Sequence, residues 1–164
     1  MEIQSTDPIQ VTCSSTTRAE GEVVVQVQIK NVSDTTLHLF DGARMPYVLL
    51  QDDESLLVLY GVNPPDPNTE YFAIEIPITK PLEPGAAIED EVSLTPLYLG
   101  HHYGLHRMRS RPTTKHGTTI VHCEIGWGET PILPRKEEKN VRNIIQLLEW
   151  QQLTQAEAIQ VELP

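Results

Sequence analysis

The usual signatures of catalysis are missing from this chain. There is no glycine-rich phosphate loop with its lysine, no Gly-x-Ser-x-Gly elbow, no His-Glu-x-x-His and no Cys-x-x-Cys. Without those spacings the residues point to binding rather than chemistry, and the chain is read as a non-enzyme. Long apolar runs are also missing: none approaches the about 18 residues of a membrane span. The first ten residues, MEIQSTDPIQ, have no basic start followed by an apolar stretch, so no secretory leader is expected and cytoplasmic residence follows. Cysteine is scarce, with only Cys13 and Cys123. In a reducing compartment both are expected as small buried thiols, although a bridge between them stays geometrically possible because both fall in predicted strands. Basic residues are few as well: 12 Lys and Arg face 23 Asp and Glu, a net charge of −11. That balance argues against general nucleic-acid binding and suits solubility or docking to a basic partner.

What is present is strand and turn chemistry. At 164 residues the chain has room for one domain with a sizeable core, and thirteen prolines against nine glycines favour turns and edge positions. Along residues 22–40, Val23, Val25, Val27 and Ile29 alternate with Val24, Gln26, Gln28 and Lys30, the two-residue period of a strand buried on one face. Asn31, Ser33, Asp34 and Thr35 follow as a polar turn, and residues 36–40 resume an apolar run. This predicts the central hairpin of an antiparallel sheet. Residues 9–14 read as a first strand. Residues 47–51 and 56–60 read as a second hairpin around an acidic tip, Asp52-Asp53-Glu54-Ser55, which lacks the spaced ligands of a calcium loop.

Residues 63–68, NPPDPN, are too proline-rich for regular structure. Phe72, Ile74, Ile76 and Ile78 then alternate in a strand whose Pro77 requires an edge or a bulge. Leu82-Glu83-Pro84-Gly85 suits a type II turn, since proline presets the first central φ and glycine accepts the positive φ that follows. Residues 87–95 continue as a strand. Residues 118–127 form another, with Val121, Cys123, Ile125 and Trp127 on one face and Trp127 in the core. In the tail, Val141, Ile144, Ile145 and Leu148 have helical spacing and Asn140 can cap it, although residues 144–150 also read as a strand; the helix is favoured. Residues 151–157 read as a polar link to a final strand at 158–163. The fold class is therefore all-β, an antiparallel immunoglobulin-like two-sheet sandwich with a long loop near 97–117 and a short C-terminal helix. It is taken as one domain over 1–164, with 135–164 an extension packed on it.

The run VQVQIKNVSD at 25–34, the turn LEPG at 82–85 and the strand end Ile125-Gly126-Trp127 resemble small bacterial immunoglobulin-like sandwich proteins, and among them intracellular proteinase inhibitors of the BsuPI type. The resemblance covers about residues 9–127 and implies the sandwich fold, with binding rather than catalysis as its use. No reactive-loop residue carries over. Residues 63–71, NPPDPNTEY, share Asn-Pro with the loop of chagasin-type cysteine-protease inhibitors but lack its glycine and its spacing.

One region breaks the acidic pattern. Between Val92 and Cys123 there is no Asp or Glu, while Arg107, Arg109, Arg111 and Lys115 lie there together with His101, His102, His106, His116 and His122. The remaining eight basic residues face all 23 acidic ones, so a +4 segment sits in a −15 chain. Guanidinium groups make paired bonds to carboxylate or phosphate. Residues 97–117 also lack strand alternation, as a functional long loop does. The partner-binding candidates are His102, His106, Arg107, Arg109, Arg111 and Lys115, with another protein as partner and no cofactor. The competing reading is that these cations neutralise the acidic sandwich as structural ion pairs. A metal-dependent alternative places ligands in the 101–116 segment: His102 and His106 are four apart and would share a helix face, and His101, His116 or His122 could add a third. The neighbouring arginines oppose a divalent cation there.

Overall fold

A computed structural model describes residues 7–41, 45–62, 76–95, 97–100, 113–133 and 140–164. The elements are β1 (Ile9–Thr17), β2 (Val23–Asn31), β3 (Leu37–Phe40), β4 (Tyr47–Leu50), β5 (Leu56–Tyr60), β6 (Thr79–Leu82), β7 (Ala87–Leu94), β8 (Leu97–Gly100), β9 (Thr113–Thr114), β10 (Gly117–Gly128), α1 (Ile144–Trp150), β11 (Gln152–Gln155) and β12 (Ile159–Leu163). They build an all-β sandwich, as the alternation predicts. Among the described residues, one sheet has three strands in the order β1-β2-β7; the other has nine and is organised on β10.

β10 is twelve residues long and holds neighbours along both edges. Val121 pairs with Leu56 on one side and Ile159 on the other, and Trp127 pairs with Leu39 and Gln152. Thus β5 and β3 follow one another along one edge, β12 and β11 along the opposite edge. The β10–β5 and β4–β8 pairs are parallel; the remaining pairs are antiparallel. On the odd-numbered face of β10, Val121, Cys123, Ile125 and Trp127 share one buried cluster with Val23, Val25, Val27 and Ile29 of β2, and Thr119 is the buried polar residue of that face. Trp127 is core, 3% exposed, and its indole N–H donates to Thr154 Oγ1 at 3.0 Å.

The predicted hairpin of residues 22–40 does not form. β2 pairs with β1 and β7, whereas β3 pairs with β6 and β10 in the other sheet. The polar turn between them carries the chain across the sandwich, and Asn31 is the reason. Its side chain is fully buried; Nδ2 donates to the Thr35 and Leu82 carbonyls at 2.8 Å each, and Oδ1 accepts from the Ser33 N–H at 2.9 Å and the Ser33 hydroxyl at 2.6 Å. An Asx turn bends the backbone away from its own sheet, and the bond to Leu82 ties it to β6. The second predicted hairpin does form, with Tyr47 opposite Leu59 and Leu50 opposite Leu56. The Pro84-Gly85 turn forms too: Gly85 has φ +78° and the Ala86 N–H donates to the Glu83 carbonyl at 2.9 Å.

Other boundaries shift. Residues 76–78 lie outside any strand, and the edge strand is β6, where Pro81 stands opposite His38 on the sheet's rim, a place where a missing N–H costs nothing. The tail contains the favoured helix, but its cap is Asn143, which accepts from the Gln146 N–H at 2.9 Å. Asn140 instead bonds the backbone at Pro131 and Leu133. The supposed link at 151–157 contains β11, so the tail supplies two strands to β10. α1 covers a second apolar cluster of Phe40, Val62, Ile132, Val141 and Leu147, with the Phe40 and Trp150 rings 5.3 Å apart. Among the described residues no helix is long and apolar enough to cross a membrane.

Candidate functional site

The basic segment is held at both ends by strand pairing. β8 lies parallel to β4, with Leu49 opposite Leu99, and β9 returns antiparallel to it, with Leu97 opposite Thr114 and Tyr98 opposite Thr113. The long loop read at 97–117 therefore starts and ends as strand, since backbone pairing to a sheet edge does not need the apolar alternation that the sequence lacks. What lies between the two strands is 101–112. His101, His102, His106, Arg107, Arg109 and Arg111 fall there, outside the described residues.

Lys115 is described. Its side chain is 18% exposed and its Nζ stands 3.8 Å from Glu54 Oε2, at the tip of the β4–β5 hairpin. The pair belongs to a hollow of about 440 Å³ lined by Asp53, Glu54, Ser55, Lys115, Thr118, Thr119, Ile120 and His122. The Thr119 hydroxyl donates to the Glu54 carbonyl at 3.0 Å, which ties the tip to β10. Lys115 thus acts as an ion-pair partner of the acidic tip, the structural role weighed against partner binding. Such a half-exposed pair contributes about 0–1 kcal/mol.

His122 is half-buried on the outer face of β10, next to two carboxylates. Asp53 is held below the usual carboxylate range, first by the Ser55 hydroxyl and N–H that it accepts and then by the nearby His122. Burial pushes Glu124 up, against the opposing pull of His122 and of Gln155, whose Nε2 donates to Glu124 Oε1 at 3.1 Å. The sign for Asp53 follows directly: its folded pKa lies below the unfolded one, so its contribution is present above the ordinary carboxylate range and lost as pH falls through the folded value. Ser55→Ala should raise the Asp53 titration toward the ordinary value in a carboxylate NMR titration. An unmoved midpoint would remove Ser55 as the cause.

The remaining described histidine of the window, His116, has Nδ1 at the Pro164 carbonyl. Neither described histidine of that window stands with two further metal-type ligands, and among the described residues no group of three His, Cys, Asp or Glu is placed to hold an ion. The ligand pair His102 and His106 lies outside them.

A second concavity, about 650 Å³, crosses the three-stranded sheet where Thr12 and Ser14, Gln26 and Gln28, and Glu89 and Glu91 stand in register rows. Glu91 is already engaged by Arg18 Nη2 at 2.7 Å. Between the sheets, the Tyr60 hydroxyl donates to Asp90 Oδ2 at 2.7 Å, and burial, then Asp90, pushes Tyr60 far up. Sequence reading missed this pair: Asp90 sits at an inward position of β7, a signal available from the alternation of Ile88, Val92 and Leu94. Comparison with known proteins finds no matching family model, no matching curated protein and no matching solved structure.

Proposed function

We propose that this chain is a non-enzymatic binding module that engages another protein through its basic segment, in the manner of an inhibitor or immunity-type protein. The observation that supports this reading is the segregation of charge onto a segment whose two ends are clamped. Four cations and no acidic residue lie between Val92 and Cys123, against −15 elsewhere, and β8 and β9 root that segment on the rim of the nine-stranded sheet. A rigid scaffold that presents a loop is the common way in which a sandwich recognises a partner. An acidic protein surface or acidic peptide fits Arg107, Arg109 and Arg111, while the −15 body repels the same partner elsewhere and so sets the orientation. His102 and His106 add donors to the same segment. Lys115 contributes less, because Glu54 already neutralises it.

The experiment is a triple substitution, Arg107, Arg109 and Arg111 to Ser, scored against the partner captured from host lysate by the wild-type chain. Loss of three charge-assisted contacts should weaken binding at least about a hundredfold. Arginines that serve binding alone leave the Tm within about 2 °C of wild type. Retained binding with a large fall in Tm would assign these arginines to the fold.

A further inference from the structure

We propose that Cys13 and Cys123 form a redox modification site, in which Cys13 attacks a low-molecular-weight disulfide and the product is a Cys13–Cys123 bridge joining the two sheets. The geometry comes from the register. Cys13 is the central residue of β1 and lies on its inward face, in line with Ile9 and Val11; Cys123 lies on the inward face of β10 with Val121 and Ile125. Cα atoms of the two strands approach within 8 Å of each other. The tail brings the two cysteines side by side: Cys13 Sγ lies 3.6 Å from the Glu157 carbonyl, and the N–H of the adjacent Ala156 donates to the Cys123 carbonyl at 2.9 Å, while both thiols are unbridged.

Their surroundings differ in the way that a two-step exchange needs. Cys13 is half-buried, packed against the rim of the core, and its Sγ also donates to the Glu157 carbonyl at 3.6 Å. Cys123 is fully buried beneath it. The contact with Cys123 holds the Cys13 thiol below its ordinary value against the opposing effect of burial, while the same contact, then burial, pushes Cys123 up. Cys13 is therefore the attacking sulfur and Cys123 the resolving one.

The exchange balances without further reagents. The Cys13 thiolate attacks one sulfur of the oxidant disulfide, forming a mixed disulfide and releasing one thiolate, which takes the proton that Cys13 gave up. Cys123 then attacks Cys13 Sγ, the mixed bond breaks, and the second thiolate leaves with the Cys123 proton. Two protein thiols become one disulfide, and one oxidant disulfide becomes two thiols. This site is independent of the binding reading, since neither cysteine belongs to the basic loop's partner-binding set.

The test exposes the folded, reduced chain to oxidised glutathione and reads intact mass, thiols counted after denaturation, and the melting midpoint. Wild type should lose both thiols and two hydrogens, retain no glutathionyl adduct, and melt higher, with dithiothreitol reversing all of these. Cys123→Ala should stop at one stable glutathionyl adduct on Cys13. A wild-type chain that keeps two thiols overturns the proposal, as does one that holds a lasting adduct or links as a covalent dimer. An unchanged melting midpoint in the bridged form overturns the inter-sheet assignment. The wild-type arm decides the matter even where a cysteine variant folds poorly.

Discussion

Asn31→Ala should destabilise this protein by about 3 kcal/mol, a fall in Tm of roughly 6–12 °C for a chain of this size. The side chain is fully buried and makes four hydrogen bonds, all within 2.9 Å, that no alanine can replace. Truncation strands the Leu82 carbonyl inside the fold and the Ser33 N–H in a half-buried turn, and orphaned buried groups cost about 1–3 kcal/mol each. The turn between β2 and β3 also loses the bonds that direct it from one sheet into the other. Ser33→Ala is the control: it removes a half-buried hydroxyl and leaves both Asn31 donors in place, so it should cost about 1 kcal/mol or less. Chemical denaturation of the two variants and wild type decides it. A loss below about 1 kcal/mol for Asn31→Ala would mean that the crossing is held by its flanking strands alone.

Gly126→Ala should cost about 2–4 kcal/mol, through a clash rather than a lost bond of its own. A Cβ there would press into Gln151 Oε1 and stand 2.8 Å from the Phe40 ring. Gln151 uses its amide as a strand neighbour would: Oε1 accepts from the Val62 N–H at 2.8 Å and Nε2 donates to the Val62 carbonyl at 3.0 Å. Gly61 clears the other wall of the same slot, where an added methyl would lie 2.7 Å from Gln151 Oε1. Displacing the amide leaves Val62 unpaired next to the cluster of Phe40, Ile132 and Leu147. The pairing is checked by a double-mutant cycle. In a Gln151→Ala background, Gly126→Ala should lose the part of its cost that comes from Gln151 and keep the part that comes from Phe40; fully additive costs would sink the idea that the glycine seats Gln151.

Much of the local structure was legible because strand alternation reports burial directly. Val23, Val25, Val27 and Ile29 are buried, as are Val121, Cys123, Ile125 and Trp127. Pro84-Gly85 encoded its turn through two φ requirements that hold in any context. The helix at 144–150 was visible in its spacing, but its cap is Asn143 rather than Asn140. The two asparagines are equally good capping chemistry, and only the bonds of Asn140 to Pro131 and Leu133 separate them. The candidate site was partly legible: the charge window is a fact of composition, whereas the engagement of Lys115 with Glu54 depends on a hairpin tip far away in the chain.

By itself the amino-acid sequence determined which residues face inward, where the chain turns, and which segment reverses the charge of the whole. These are local properties, carried by side-chain period, by fixed backbone angles and by counting. Tertiary structure alone decided which strand lies beside which. Alternation states that a face is buried and is silent about what buries it, so residues 22–40 read as one hairpin although their two strands lie in opposing sheets. The choice fell to a single buried amide at Asn31, to glycines that admit Gln151, and to a twelve-residue β10 long enough to collect neighbours along both edges. That same non-local choice brings Cys13 and Cys123, 110 positions apart in the chain, to one cluster beside Ala156 and Glu157.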